Sequence, residues 1–491
     1  MIPVAPETNL LVAILVPLAC AVVIPFFGRT PNLREAVTLV TAIVLCLSVF
    51  SVVQPVLEGA RPERIIFEVA PGLALAFQAE PLGVLFALIA SILWAANSVY
   101  AIGYMRGNNE PRQTAFFSCL AIAIGSAMGI AFAENLFTFF LFYEALTIST
   151  YPLVTHHRNA EAMKSGRLYL LLLIGTSMGL FLPAIIATWV IGGTLAFTQG
   201  GILAGTAEPL IITILLVLYA FGIGKAAIMP IHFWLPAAMV APTPVSAFLH
   251  AVAVVKAGVF AVLKVVVYVF GLETLIDADV SNWFTILAGI TILTASLIAL
   301  QQDNLKRRLA YSTISQLSYV VLGAAILTPL SIIGAAMHIA AHAFGKITLF
   351  FAAGSLYTGA HLTKVSELDG IGRRMPWTMG AFAVGSLSML GLPLTAGFLG
   401  KWFILGGAME SSNWIAVAVI LLSTALNAGY FLPIVYRAFF RPLPDHASTR
   451  QAHDGSPWQI VFALTATAVG TIIVFFFPNV FYALSTQLVG P

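Results

Sequence analysis

Charge is what this sequence has least of: 9% of its 491 residues are Asp, Glu, Lys or Arg, against 60% that are hydrophobic. A water-soluble domain carries roughly a quarter charged residues, so that class is excluded. Cysteine is almost missing as well. Cys20, Cys46 and Cys119 lie far apart in apolar runs, which excludes a disulfide framework and a CxxC metal or iron-sulfur motif. The formal net charge of +3 is too small and too dispersed to make a nucleic-acid surface. There is no Walker A motif, no GxGxxG between a strand and a helix, no HExxH and no Ser/His/Asp set outside the apolar runs. The polar segments are too short to hold a catalytic domain, so the residues point to no cofactor and no metal. Energy has to come from an ion gradient or from a partner protein.

What is present is apolar sequence in runs long enough to cross a bilayer as helix, which needs about 20 residues. Fourteen spans are expected, over 10–27, 33–53, 81–105, 114–133, 135–155, 166–191, 209–239, 244–271, 282–300, 309–327, 330–358, 375–408, 413–437 and 458–478. The chain is thus read as an all-α polytopic membrane protein. Glu7 alone among charged residues precedes the first span, and with no basic segment or cleavage site there the span is expected to stay as a helix. Between spans two and three, the alternation in RIIFEVAPGLALAFQ predicts a short hairpin outside the membrane.

Basic residues set the expected orientation. Arg29, Arg34, Arg106, Arg112, Arg158, Lys164, Arg167, Lys306, Arg307, Arg308, Lys364, Arg373, Arg374, Arg437, Arg441 and Arg450 fall on one side, and only Arg61 and Arg64 on the other. The richer side is predicted to be cytoplasmic, which leaves both termini outside with an even number of spans.

Five lysines remain within spans: Lys225, Lys256, Lys264, Lys346 and Lys401, against one carboxylate well inside, Glu144. A lysine at the centre of a span costs about 2.5–3.5 kcal/mol on insertion scales, so such residues face the bundle interior or a water path. Lys264 has a second reading, snorkelling toward an interface. The bland reading of the others is an ion pair or a carbonyl-bound ammonium that only locks helices, and one glutamate cannot pair with four ammonium groups. Buried lysines without fixed partners can release and regain protons.

Four histidines are also intramembrane: His232, His250, His338 and His342. His338, His342 and Lys346 recur at four-residue spacing, so one helix face carries three titratable groups. Two histidines at that spacing can ligate zinc, but no glutamate or cysteine nearby completes a site. His232 reads as a packing residue, and the other three as relay candidates. Two spans should be broken. GIGKAAIMPIHFWLPAAMVAPTP places Pro230 and Pro236 after Lys225, and SLSMLGLPLTAGFLGKW places Gly391, Pro393 and Gly397 before Lys401. Paired interrupted spans in two halves point to an inverted-repeat ion path.

These stretches resemble the antiporter-like proton-translocating family shared by Mrp-type sodium/proton antiporters, the antiporter-like subunits of respiratory complex I and membrane-bound hydrogenases. The strongest match is GKAAIMPIHFWLPAAMVAPTPVSAFLHAVAVVKAGVF at 224–260, followed in family order by DNLKRRLAYSTISQLSY, HAFGKITLFFAAG and LPLTAGFLGKW. The resemblance implies two inverted five-helix repeats. It divides the chain into 1–110 (three helices and the hairpin), 111–272 (first repeat), 280–440 (second repeat) and 455–491 (last helix). It further implies a proton relay of Glu144, Lys225, His250, Lys256, Lys346 and Lys401, with His338 and His342 as secondary members. The expected setting is a multisubunit complex in a bacterial or archaeal cell membrane, with other hydrophobic subunits as partners and protons and Na+ as the ions. Lys401 and the chain's size resemble the Mrp D subunit, and a redox-driven pump of the complex I or hydrogenase kind is the alternative. The chain departs from the pattern at Tyr143, before Glu144, where Trp is frequent, and at Gln316, where many relatives have histidine.

Overall fold

The computed structural model describes residues 5–70, 72–443 and 455–490; Arg450, counted above among the basic residues, lies outside them, as do the outermost residues of the first and last segments. Proline at the first turn and short polar caps start most helices, as expected where the first N–H groups have no helical partner. The N-terminal part contains α1 (Pro6–Val23), α2 (Pro31–Leu57), a hairpin of β1 (Glu63–Ala70) and β2 (Leu73–Gln78), and α3 (Pro81–Gly107). Glu80 caps α3 by accepting from the Gly83 N–H at 2.8 Å and the Leu82 N–H at 3.1 Å. The expected hairpin is present, antiparallel from Glu63↔Gln78 to Ala70↔Leu73. Its second strand seals the turn that follows the fourth span, through the Gln78 N–H on the Phe132 carbonyl at 2.7 Å.

The first five-span group comprises α4 (Gln113–Ala131), α5 (Leu136–Val154), α6 (Ala160–Gly192), the pair α7 (Pro209–Gly222) and α8 (Ile231–Val240), and α9 (Thr243–Phe270). After the short α10 (Leu272–Asp277), the second group follows. It comprises α11 (Ser281–Gln301), α12 (Leu305–Ile326), α13 (Pro329–Ala360), the pair α14 (Pro376–Leu390) and α15 (Ala396–Glu410), and α16 (Trp414–Phe440). α17 (Trp458–Phe476) and the short α18 (Asn479–Thr486) complete the described chain.

Twelve described helices are long and apolar enough to span, and the two helix pairs lie where the sequence placed its two broken spans. Each broken span is the fourth of its group. The two groups thus share one order of elements. α13 runs unbroken through 32 residues, about 48 Å at 1.5 Å per residue, and its spanning window is fully buried. It is the central post on which both halves pack.

The two ends of the bundle differ in their basic contacts. On one, Arg34 donates to Gln113 Oε1 at 2.9 Å, and Arg106 Nη2 pairs with Glu35 at 2.5 Å. There too Arg308 caps the end of α11, donating to the Gln302 carbonyl at 2.8 Å. Arg61 and Arg64 stand on the hairpin side, where Arg61 donates to Gln487 at 3.0 Å.

Three details depart from the sequence reading. The first break opens earlier than its prolines, because α7 ends at Gly222 and Lys225 itself sits in the unwound stretch. Lys306, Arg307 and Arg308 belong to the first turns of α12 rather than to a loop. A third irregularity interrupts α9 at Val252–Ala253, where the N–H groups of both residues turn to the Phe248 carbonyl at 3.0 Å. The β-branched run around it has low helix propensity, which makes the interruption inexpensive.

Candidate functional site

Lys225 is fully buried, on a single 3-10 turn between α7 and α8. Its ammonium donates to the Thr147 hydroxyl at 2.6 Å and the Tyr143 carbonyl at 2.9 Å, and lies 3.1 Å from the centre of the Tyr143 ring. All three partners are neutral and come from α5. Glu144 is next to Tyr143, yet among the described residues no ion pair within 4 Å joins it to Lys225, and its Oε1 is buried without a hydrogen bond. The break is braced by the Trp234 indole, which donates to the Gly224 carbonyl at 3.0 Å. Gly258 on α9 packs directly on the Lys225 backbone, where a Cβ has no room. Thus the seventh span presents its lysine to the fifth on one side and to the eighth on the other.

Lys256 stands two residues before that glycine, beyond the interruption of α9 from His250. Its Nζ hydrogen-bonds Nδ1 of His342 on α13. One turn back, the His338 ring centre lies 6.2 Å from that of His342 and 5.6 Å from that of Tyr319 on α12. The Tyr319 ring in turn lies 4.7 Å from the Lys401 ammonium. Lys401, on α15, donates to the Met389 carbonyl at 2.7 Å and the Leu390 carbonyl at 3.3 Å, the free carbonyls at the end of α14. A helix C-terminus carries partial negative charge, which is what holds this ammonium where no carboxylate lies within 4 Å among the described residues. The break thus makes the lysine's site. Gly400 lets α15 approach His338 closely, since a Cβ there would stand 2.8 Å from the His338 Cβ.

Lys346 points the other way from α13. It donates to the Ser312 hydroxyl at 2.7 Å, and Ser312 also accepts from the Tyr430 hydroxyl at 3.1 Å. His250 packs 4.9 Å from the Phe350 ring, and among the described residues both its nitrogens are buried without hydrogen-bond partners, as are both side-chain polar atoms of Gln316 and His338. Unpaired polar groups of this kind are places for buried water.

Of the residues singled out in the sequence, Lys256, His342, His338 and Lys401 form one file with Tyr319 between them. Lys225 abuts the file through Gly258, and Lys346 and His250 flank it on α13 and α9. His232 is apart, its ring 4.1 Å from Phe233 near the basic face. Lys264 does not snorkel. It is 1% exposed and pairs with Glu80 at 3.2 Å, while the Tyr268 hydroxyl donates to the same carboxylate at 2.6 Å. Sequence reasoning missed this pair, although Glu80 before Pro81 has the signature of an acidic helix cap. It also missed the hydroxyl partners Thr147, Ser312 and Tyr319, which carry no charge to mark them. Among the described residues no cluster of three metal-ligating side chains occurs.

A family profile described as "NADH:quinone oxidoreductase/Mrp antiporter, TM" matches residues 133–427, which contain every one of these groups except Glu80 and Tyr430. NADH-quinone oxidoreductase subunit N of Desulforudis audaxviator is 32% identical over 74% of this chain and 73% of its own length. A probable K(+)/H(+) antiporter protein of Rhizobium meliloti is 31% identical over 92% of this chain, which spans only 45% of that protein. In fold, the chain matches a component of the Mrp complex from Dietzia sp. DQ12-45-1b with a TM-score of 0.87, at 20% identity, covering 99% of this chain and 97% of that one. A chain of an archaeal membrane-bound sulfane sulfur reductase matches with a TM-score of 0.84, at 22% identity over 98% of both chains. The chain belongs to the antiporter-like membrane-subunit family common to NADH:quinone oxidoreductases and Mrp antiporters.

Proposed function

We propose that this chain is the proton-translocating subunit of a multisubunit monovalent cation/proton antiporter in a bacterial or archaeal cell membrane. Sodium is the exchanged cation, the D subunit of an Mrp complex is the counterpart, and other hydrophobic subunits are the partners. The observation that carries this reading is the Lys256–His342 contact, because it connects the buried bases of the first five-span group with those of the second. Protons pass between Lys225, His250, Lys256, Lys346 and Lys401, with His338 and His342 completing the file. The basic face is cytoplasmic and both termini lie outside.

The switch is at Lys225. Its ammonium rests on neutral partners, and Glu144, adjacent to Tyr143, offers it a charged one. Moving one charge against 100 mV requires about 2.3 kcal/mol. Breaking a buried pair costs about 3–5 kcal/mol, so exchange between the two partners is large enough to drive the step. In everted vesicles containing the assembled complex, Lys225→Ala and Glu144→Ala should each abolish cation/proton exchange, and retained exchange would overturn the relay.

A second reading is a proton-pumping subunit of a redox-driven complex, favoured by the 32% identity to a quinone oxidoreductase subunit. Copurification from the native membrane separates the two. Small hydrophobic subunits alone support the antiporter, whereas iron-sulfur or nickel-iron subunits support the redox pump.

A further inference from the structure

A cavity of about 240 Å³ opens on the basic face where the end of α3, the turn after α5, the α8–α9 corner and the starts of α12 and its neighbours converge. Its lining includes Glu110, His157, Lys306, Tyr104 and Thr243. Glu110 stands between two imidazoles, its Oε2 being 3.6 Å from His156 Nε2 and 3.8 Å from His157 Nδ1. Lys306, in the same lining, donates to the Ala241 carbonyl at 2.6 Å. This ammonium was read from the sequence as one more surface positive charge, and instead it is half-buried in the cavity lining with no carboxylate within 4 Å among the described residues.

The cavity lining includes Thr243, the first residue of α9. Thr243 donates to the Tyr104 hydroxyl at 3.4 Å. Thr243, Ser246 and His250 then recur at helical spacing on one face of α9. From Thr243 to His250 is seven residues, about 10 Å along a helix, which is about three waters in a hydrogen-bonded chain. His250, at its end, is fully buried with both ring nitrogens free to accept or donate.

We propose that this cavity is the loading site for protons from the basic face, with Glu110 and its two histidines as the collecting groups and Lys306 as the charge that controls passage to Thr243 and His250. The proposal rests on the relay reading above and adds to it a site and residues that the relay does not contain. The groups facing Glu110 are His156 and His157 after α5, Lys306 on α12 and Tyr104 on α3, with Arg112 beside His157 and Tyr357 on α13 beside Tyr104. Half-burial holds His157 below its ordinary value of 6.5, against the opposing pull of Glu110. The neutral ring is therefore available as an acceptor at neutral pH.

The test uses the complete complex in everted vesicles, whose basic face meets the bath, and follows exchange rate against bath pH. Glu110→Gln removes a collecting group and should move the profile about one pH unit toward acid, with its maximum retained. Lys306→Met removes a neighbouring positive charge and should move it the opposite way. Opposite shifts, with Lys225→Ala inactive at every pH, support the proposal. Unshifted profiles, shifts of one sign, or a uniform loss of maximum rate in both variants, with Lys225→Ala inactive, overturn the loading site and leave the relay standing. Full exchange in Lys225→Ala overturns the relay itself and the loading site with it. If either variant fails to assemble, Thr243→Cys in a chain with Cys20, Cys46 and Cys119 changed to Ser is exposed to a membrane-impermeant maleimide. Labelling from the basic side only supports the cavity as the entrance, and no labelling, or labelling from the other side, overturns it.

Discussion

Lys256 and His342 are hydrogen-bonded to each other in the buried centre of the molecule, base against base, with no carboxylate in the contact. Two such groups cannot both be protonated without strong repulsion, so the contact accommodates at most one added proton between two helices that belong to different halves of the chain. His342→Ala should therefore disconnect the halves. Exchange is expected to fall at least about 10²-fold, the usual contribution of one positioned proton-transfer group, while the complex still assembles. Dye-monitored proton movement in vesicles with native-gel analysis of the same membranes checks both parts.

Thr147 supplies the side-chain hydroxyl that accepts from the Lys225 ammonium. Thr147→Val keeps the shape and removes the acceptor, so a buried donor loses a partner at a cost of about 1–3 kcal/mol. Thermal unfolding of the detergent-solubilised protein should show a lower Tm than wild type, and Thr147→Ser should restore it.

The Lys264–Glu80 pair is predicted to be a structural clamp. Either Lys264→Met or Glu80→Gln leaves a buried partner uncompensated, with an expected loss of about 3–5 kcal/mol, whereas the double substitution should cost less than either alone. A double-mutant cycle in denaturant measures the difference. If both single variants are as stable as the parent, the clamp assignment fails.

Gly258→Ala should damage the site from outside it. Its added methyl meets the Lys225 backbone, and overpacking of this kind costs about 1–3 kcal/mol. Gly175→Ala, on α6 where nothing lies within 4 Å, is the matched control and should behave as wild type. Expression level, Tm and exchange rate are compared for the two.

His157 gives stability an acid-side slope. Its folded value is depressed, so below its ordinary value of 6.5 the unfolded chain binds more protons than the folded one. Stability is full above that pH and declines as pH falls through the window beneath it. His157→Asn should flatten the Tm profile of the purified protein across that window.

Length, scarcity of charge and the spacing of apolar runs determined that this is a polytopic helical membrane protein, because no water inside a bilayer can satisfy an open backbone. The five intramembrane lysines and Glu144 were legible for the same reason: a charge in an apolar run is conspicuous and costly. Gly391 and Pro393 foretold the second break, whereas the first opens before its prolines, at Gly222, and the interruption of α9 has no proline or glycine to announce it. What only the tertiary structure decided is which charge meets which partner. Lys264 found Glu80 across 184 residues, Lys225 met Tyr143 and Thr147 rather than the Glu144 carboxylate, and Lys306 turned inward onto the Ala241 carbonyl. These contacts depend on helix rotation and close approach at glycines such as Gly258 and Gly400, and a pattern along one chain does not contain the distance between two helices.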